Sequence, residues 1–194
     1  MDGVPALVPP VVPFGRMTQN DQPSLATPDS LLLRPWASED AAGLVSAFTD
    51  SDIRRWHVNV VDSHDEALAW IETWRRRWQM ETDACWAVVD GLTDHLVGRV
   101  ALRGIDLSAG RAECSYWVLP EARRRAVAVR ATNRMAMWAM DELGLHRLTI
   151  VHSVANERSC GVALKAGFPL EGTMASEQLL VDGWHDTHLH ARTS

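Results

Sequence analysis

Lysine and tyrosine are nearly missing from this chain: Lys165 and Tyr116 are the sole examples in 194 residues. The basic charge is therefore arginine, and it is outweighed. With 19 Lys+Arg against 25 Asp+Glu the net charge is -6, so the protein as a whole has no electrostatic reason to bind nucleic acid. No apolar run reaches the roughly 18 residues that a membrane span needs, so no membrane partner is expected. The opening MDGVPALVPPVVPFGR lacks a basic n-region and is broken by proline, which argues against a secretory signal. Cysteine is scarce and odd in number. Cys85, Cys114 and Cys160 show no zinc spacing and fall in predicted core elements. They read as cytosolic thiols, and the protein as cytoplasmic. There is no internal repeat.

What is plentiful is apolar and aromatic. Hydrophobic residues make up 46% of the chain, enough to build one sizeable core. Six of the nine prolines fall before residue 29. With no apolar periodicity around them, residues 1–29 are predicted as an extended or disordered tail, and 30–194 as one domain. Leu31–Trp36 reads as a short strand stopped by Pro35. Ser38 is predicted to N-cap a helix with Ala41, Leu44, Val45 and Phe48 as its apolar face. Asp50–Val61 reads as irregular, and holds Arg54, Arg55, Trp56 and His57. Ser63–Glu66 is a capping-box pattern that opens a helix to about Gln79. Its stripe of Ala67, Trp70, Ile71, Trp74 and Trp78 predicts burial.

Ala84–Val89 and Leu96–Leu102 read as a hairpin, followed by a third strand over 112–119. Further on come a strand at His146–Val151 and a helix at Asn156–Ala166 closed by Gly167. Two more strands follow, Phe168–Thr173 and Trp184–Ala191. A meander, a crossover helix, then another strand and helix predict a mixed α/β (α+β) domain. Its central sheet has six to seven strands, mostly antiparallel, with helices on both faces.

The chain is organised around residues 112–131, AECSYWVLPEARRRAVAVRA. Tyr116 to Leu119 suit a buried strand, and Pro120 ends it. Three arginines then lead into good helix sequence that runs to Leu143. A strand feeding a helix N-terminus makes an anion site, because free N–H groups and the helix dipole both favour negative charge. Arginine beside it suits a phosphorylated ligand.

This stretch resembles motif A of the GNAT family of N-acetyltransferases, whose (Gln/Arg)-x-x-Gly-x-(Gly/Ala) loop holds the pyrophosphate of acetyl-CoA. It is most similar to the RimJ/RimL-like branch, whose wording is close to YWVLPEARGRGVA where this chain has YWVLPEARRRAVA. Arg123 and Ala128 fit that wording. Arg124 and Ala126 stand where the branch has glycine, and a Cβ there narrows the approach of a phosphate to the backbone. Asn156–Phe168 resembles the closing motif of the family, N-x-x-S-x-x-V-x-x-K-x-G-F. Arg147 and Asp182–Asp186 match the branch too, so the resemblance covers about Leu31 to Arg192. It implies acetyl-CoA as co-substrate. The implied contacts are Arg123, Arg124, Arg125, Ala126, Val127 and Ala128 on the pyrophosphate, backbone groups near Val118 on the thioester, and Asn156 on the pantetheine chain.

Acetylation of an amine needs a group to take the amine proton and one to meet the leaving thiolate. The resemblance puts the base at Glu113, which reads equally as a surface carboxylate on a half-exposed strand. The family's tyrosine acid falls on Ala163, which leaves Ser159 as the candidate, or as a cap or packing residue. Both a protein N-terminus and a small-molecule amine are open as acceptors, and tryptophan near 56 and 117 leans toward a small or apolar one. A homodimer is open as well. Two other readings are a non-catalytic CoA-binding module, suggested by Arg124 and Ala126, and transfer of a different acyl group. His185, His188 and His190 look like metal ligands. Strand alternation puts only His188 and His190 on one face, so they read as a polar sheet edge, and no metal is expected.

Overall fold

The computed structural model describes residues 7–194, and residues 1–6 of the expected tail lie outside the described residues. Eight strands form one sheet in the order β1-β2-β3-β4-β5-β6-β8-β7. They are β1 (Leu25–Ala26), β2 (Leu31–Pro35), β3 (Ala84–Asp90), β4 (Leu96–Asp106), β5 (Arg111–Val118), β6 (Arg147–Ser153), β7 (Leu170–Leu180) and β8 (Gly183–Thr193). Among the described residues, only β5 and β6 pair in parallel. The mostly antiparallel mixed sheet agrees with the expectation, with one strand more than expected because β1 adds an edge to β2.

Alternation along β3 divides the core. Trp86 and Val88 face one layer, while Cys85, Ala87 and Val89 face the other. The second layer is roofed by α1 (Ala41–Ala47), α2 (Ser51–Arg55) and α3 (His64–Gln79). The first is covered by α4 (Val127–Met137) and α5 (Glu157–Lys165). A π-helical turn, Trp138–Leu143, prolongs α4 until Gly144 stops it in the left-handed region at φ 93°. In α3 the expected cap forms, with the Ser63 side chain accepting from Glu66 N–H. Ala67, Ile71, Trp74 and Trp78 are buried as their spacing predicts.

Three local readings differ. Ser38 caps nothing; the Asp40 carboxylate reaches back to the Ala37 N–H at 2.9 Å instead. The stretch expected to be irregular contains α2, because the Asp50 side chain accepts from Ile53 N–H at 2.9 Å. Much of the expected tail is packed. Val12, Met17 and Leu25 are buried, and the Glu81 carboxylate accepts from the N–H groups of Gly15 and Met17, both at 2.6 Å. Trp86 Nε1–H donates to the Pro23 carbonyl at 2.7 Å. Such partners lie more than 60 residues away in sequence, beyond the reach of any local pattern.

The sheet forks at its centre. β5 pairs with β4 along its length, but with β6 only over Arg111–Glu113 against Arg147–Thr149. Beyond Glu113 the two strands part. Close packing on the other side of β5 depends on Gly98, where a Cβ would lie 2.6 Å from the Trp117 carbonyl oxygen. That contact is too tight for any side chain.

Candidate active site

The fork opens into a cleft of about 920 Å³, of a size suited to a ligand site. Its walls come from the segment after α2, from α3, and from the parted edges of β5 and β6. Glu113, Asn156 and Ser159 all line it, so three residues separated by up to 46 positions meet at one opening.

Glu113 stands at the root of the fork, half-buried, with no ion pair within 4 Å among the described residues. Burial raises its carboxyl above the ordinary range; Arg103 opposes this and Glu177 adds to it. A carboxylate left without a partner and made more basic is poised to accept a proton.

Across the gap, α5 begins with Asn156, whose side-chain oxygen accepts from Ser159 N–H at 3.1 Å. This cap leaves the Ser159 hydroxyl free to bond elsewhere, and its oxygen lies 2.7 Å from the Tyr116 hydroxyl. The tyrosine also donates to the Ser159 carbonyl at 3.2 Å. Burial pushes the Tyr116 phenol up to about 12, so at neutral pH it is a proton carrier and not an anion. Ser159 was legible in the sequence as a candidate, but its partner Tyr116 was not. The signal available was slight: a sole tyrosine on the inward side of β5.

At the mouth, the arginine loop takes the backbone shape that glycine would favour. Arg124 has φ 62° and Ala126 φ 54°, both left-handed. Ala126 is the residue before α4 and offers no side-chain cap. None of the backbone N–H groups from Arg124 to Val129 has an acceptor among the described residues, and Arg130 is the first to bond, to the Ala126 carbonyl. Val127 is buried and Ala128 half-buried, while Arg124 and Arg125 are exposed and form no ion pair among the described residues. A nest of unpaired N–H groups flanked by two free guanidinium groups fits a pyrophosphate.

Arg123 is placed differently from its expected role. Its guanidinium pairs with Asp50, the cap of α2, and with Asp52 within α2, and donates from Nε to the Val118 carbonyl at 3.3 Å. Two carboxylates already occupy it, so it anchors the loop. Asp52 also takes Arg158 of α5 at 2.7 Å, which links loop, α2 and α5 across the mouth. The Val118 carbonyl is thereby engaged from within.

The aromatic wall is not the expected one. Trp56, Trp70 and Trp74 line the cleft, whereas Trp117 turns away and packs 6.3 Å from Trp36 in the core. His57 lines the cleft as well. Burial drives its pKa down to about 4, and its Nδ1 lies 2.7 Å from the Ile53 carbonyl, so it is neutral at pH 7.

A forked sheet with an uncapped, arginine-flanked helix end over an acid–base cleft is the arrangement of an acyl-group transferase. Residues 30–169 match the family model for the acetyltransferase (GNAT) domain, and the chain belongs to that family of N-acetyltransferases, on its RimJ/RimL-like side. It is 26% identical over 164 residues to the uncharacterized N-acetyltransferase YoaA of Bacillus subtilis, covering 84% of this chain and 93% of that one. Over 99 residues it is 29% identical to the ribosomal-protein-serine acetyltransferase of Escherichia coli, covering 51% of this chain and 55% of the relative. The fold is shared with the ribosomal α-N-protein acetyltransferase RimL solved with coenzyme A: TM-score 0.80, 18% identity, 88% of this chain and 98% of that chain. Among the described residues, no helix is long and apolar enough to cross a membrane.

Proposed function

We propose that the cleft acetylates the α-amino group at the N-terminus of a polypeptide, with acetyl-CoA as donor. The observation that carries this reading is the loop Arg124–Val129, whose unpaired N–H groups keep a phosphate-binding shape without glycine. Acetyl-CoA would supply an acyl carbon activated as a thioester. Its pyrophosphate would be held by the N–H groups of Arg124–Ala128 and by the Arg124 and Arg125 side chains, and its pantetheine chain by Asn156.

Glu113 takes a proton from the incoming ammonium, directly or through water, so that nitrogen can attack with a free lone pair. The Ser159 hydroxyl gives a proton to the departing sulfur, Tyr116 refills Ser159, and the phenol, which at about 12 does not persist as an anion, regains its proton from solvent in the open cleft. The aromatic wall of Trp56, Trp70 and Trp74, with Arg77, Arg99 and Arg103 in the same cleft, gives a segment behind the amine both apolar and polar contacts. The polypeptide acceptor is favoured by the open cleft and by the named substrates of the two ribosomal-protein relatives.

The test is kcat/KM against pH for wild type and Glu113→Gln, with an N-terminal peptide panel, small amines, and acetyl- and longer acyl-CoAs. Glu113→Gln is expected to keep acetyl-CoA affinity and lose about 10²–10⁴-fold in turnover where Glu113 is ionised and the amine still protonated, the difference shrinking in acid as Glu113 itself takes up a proton. Wild-type turnover in the variant would reduce Glu113 to a surface carboxylate. Preference for small amines, or for a longer acyl chain, would replace the acceptor or donor named here. The variant also reports on stability. A carboxyl whose folded pKa is raised costs nothing below its unfolded pKa, and stability is lost as pH rises through the folded pKa. Glu113→Gln should therefore melt higher than wild type at neutral pH, with the gain vanishing in acid.

A further inference from the structure

One cluster of chemically capable side chains takes no part in the acetyl transfer. His152 on β6, His188 and His190 on β8, and Cys160 on α5 bring one ligand atom each to within 4.8 Å of one another. The register makes this possible: His152 lies opposite His188, and His190 opposite Ile150, so all three rings gather under α5. The expectation of a polar sheet edge fails for His190, which is 0% exposed, while His188 is half-exposed; the neighbouring His152 is 5% exposed. His185 belongs elsewhere, bonded to Ser153 and Asp182. His152 and Cys160 stand outside the histidine set that the sequence singles out.

We propose that His152, Cys160, His188 and His190 bind a zinc-type divalent cation as a three-histidine, one-thiolate site. The argument is the direction of the lone pairs. His152 Nδ1 lies 2.8 Å from the Ser153 carbonyl, and His190 Nδ1 3.0 Å from the Phe168 carbonyl. A carbonyl only accepts, so both Nδ1 atoms carry hydrogen and both Nε2 atoms carry lone pairs. Those two Nε2 atoms, and Nδ1 of His188, are buried with no partner. Two buried, unsatisfied acceptors and a third unpartnered ring nitrogen, on side chains whose ligand atoms lie within 4.8 Å of one another, are costly unless something electrophilic sits between them. Histidine ligands of metals usually donate their second N–H to a carbonyl, as these do.

Size and softness select the ion. Bonds of about 2.0–2.3 Å set tetrahedral edges of about 3.3–3.6 Å, so closure by about 1 Å completes the site. Three imidazoles and a thiol suit Zn²⁺ and exclude Mg²⁺ or Ca²⁺, which want oxygen. Three Zn–N bonds and one Zn–S bond form, and the Cys160 thiol proton passes to solvent. His152 also lines the cleft and offers an entry path. Because Cys160 follows Ser159, the bound ion would clamp the start of α5 to β6 and β8 and hold the Ser159 hydroxyl over Tyr116.

The test uses chelator-treated, reduced protein titrated with Co²⁺ and then Zn²⁺. One equivalent of Co²⁺ should give the intense visible bands of a tetrahedral ion and a thiolate-to-cobalt charge-transfer band, both erased by Zn²⁺. Zn²⁺ should also raise the melting temperature. Cys160→Ser should remove the charge-transfer band. His188→Ala, at a half-exposed position chosen to spare the fold, should weaken binding by at least about tenfold. Absence of stoichiometric binding, weak octahedral-type bands, or a charge-transfer band that survives Cys160→Ser would overturn the site.

Discussion

Two helices begin beside the cleft, α5 in its wall and α4 at the loop tied to α5 through Arg123, Asp52 and Arg158, and they are finished in opposite ways. α5 is capped: Asn156 satisfies Ser159 N–H and fixes a hydroxyl for chemistry. α4 is left open: Ala126 has nothing to offer, and the N–H groups from Arg124 to Val129 wait for an acceptor. The lesson is that the finish of a helix decides its use. A capped end spends its donors internally and becomes a rigid platform. An uncapped end keeps its donors and half-positive dipole for a ligand. The open end is also the strained one, since both left-handed residues before α4 carry a Cβ.

The comparison breaks most sharply if α4 is given a cap. Ala126→Asp would place a carboxylate where the phosphate belongs, and like charges in contact cost several kcal/mol. Acetyl-CoA affinity should fall about 10²–10³-fold by calorimetry, while the protein melts no lower. Unchanged affinity would mean the pyrophosphate lies elsewhere. Next in size is the platform. Ser159→Ala keeps the cap, which uses the backbone N–H, and should lower turnover by about 10²-fold with acetyl-CoA affinity intact. Tyr116→Phe should do the same, and the double variant should lose little more, because the hydroxyls act as one unit. Fully additive losses would separate the pair.

A smaller effect comes from making α5 resemble α4. Asn156→Ala should cost about 1 kcal/mol, read as a fall of about 2–4 °C in melting temperature for a chain of this size. It should slow turnover as Ser159 loosens; an unchanged melting temperature would show the cap to be idle. The smallest effect is at the strained end. A left-handed residue with a Cβ costs about 1–2 kcal/mol, and glycine returns about 0.5–1 kcal/mol of that through chain entropy. Arg124→Gly with Ala126→Gly should therefore raise stability by about 1 kcal/mol or slightly more, in denaturant melts, and keep or tighten acetyl-CoA binding. An affinity loss beyond tenfold would make Arg124 itself a ligand contact.

Both helix ends were legible in the sequence, because caps, prolines and arginine runs are local signals. Ser63 and Asn156 act at the spacing that marks a cap, and Pro120 ends its strand. What was not legible depends on strand register. Tyr116 meets Ser159 across 43 positions, and no spacing announces that. Arg123 looked like a phosphate ligand until α2 supplied Asp50 and Asp52, and α2 itself hid in a segment with no periodicity. Trp117 faces the core because strand alternation gives two faces without saying which one is open, and Trp70 lines the cleft because it sits at the border of the apolar stripe of α3. The packing of residues 7–24 rests on Glu81 and on buried apolar side chains such as Val12 and Met17, in a stretch whose prolines argued for a loose chain.

The fork in the sheet has a mechanical consequence. Strands β1–β5 and strands β6–β8 are two plates joined by a seam that runs only from Arg111 to Glu113 on one side. The seam is the line of least resistance to shear. A molecule bound to both α4 and α5 would act as a rivet across it, and the Arg123–Asp52–Arg158 bridge already serves as a light one at the mouth. The width of the cleft is then a matter of plate angle as much as of side chains.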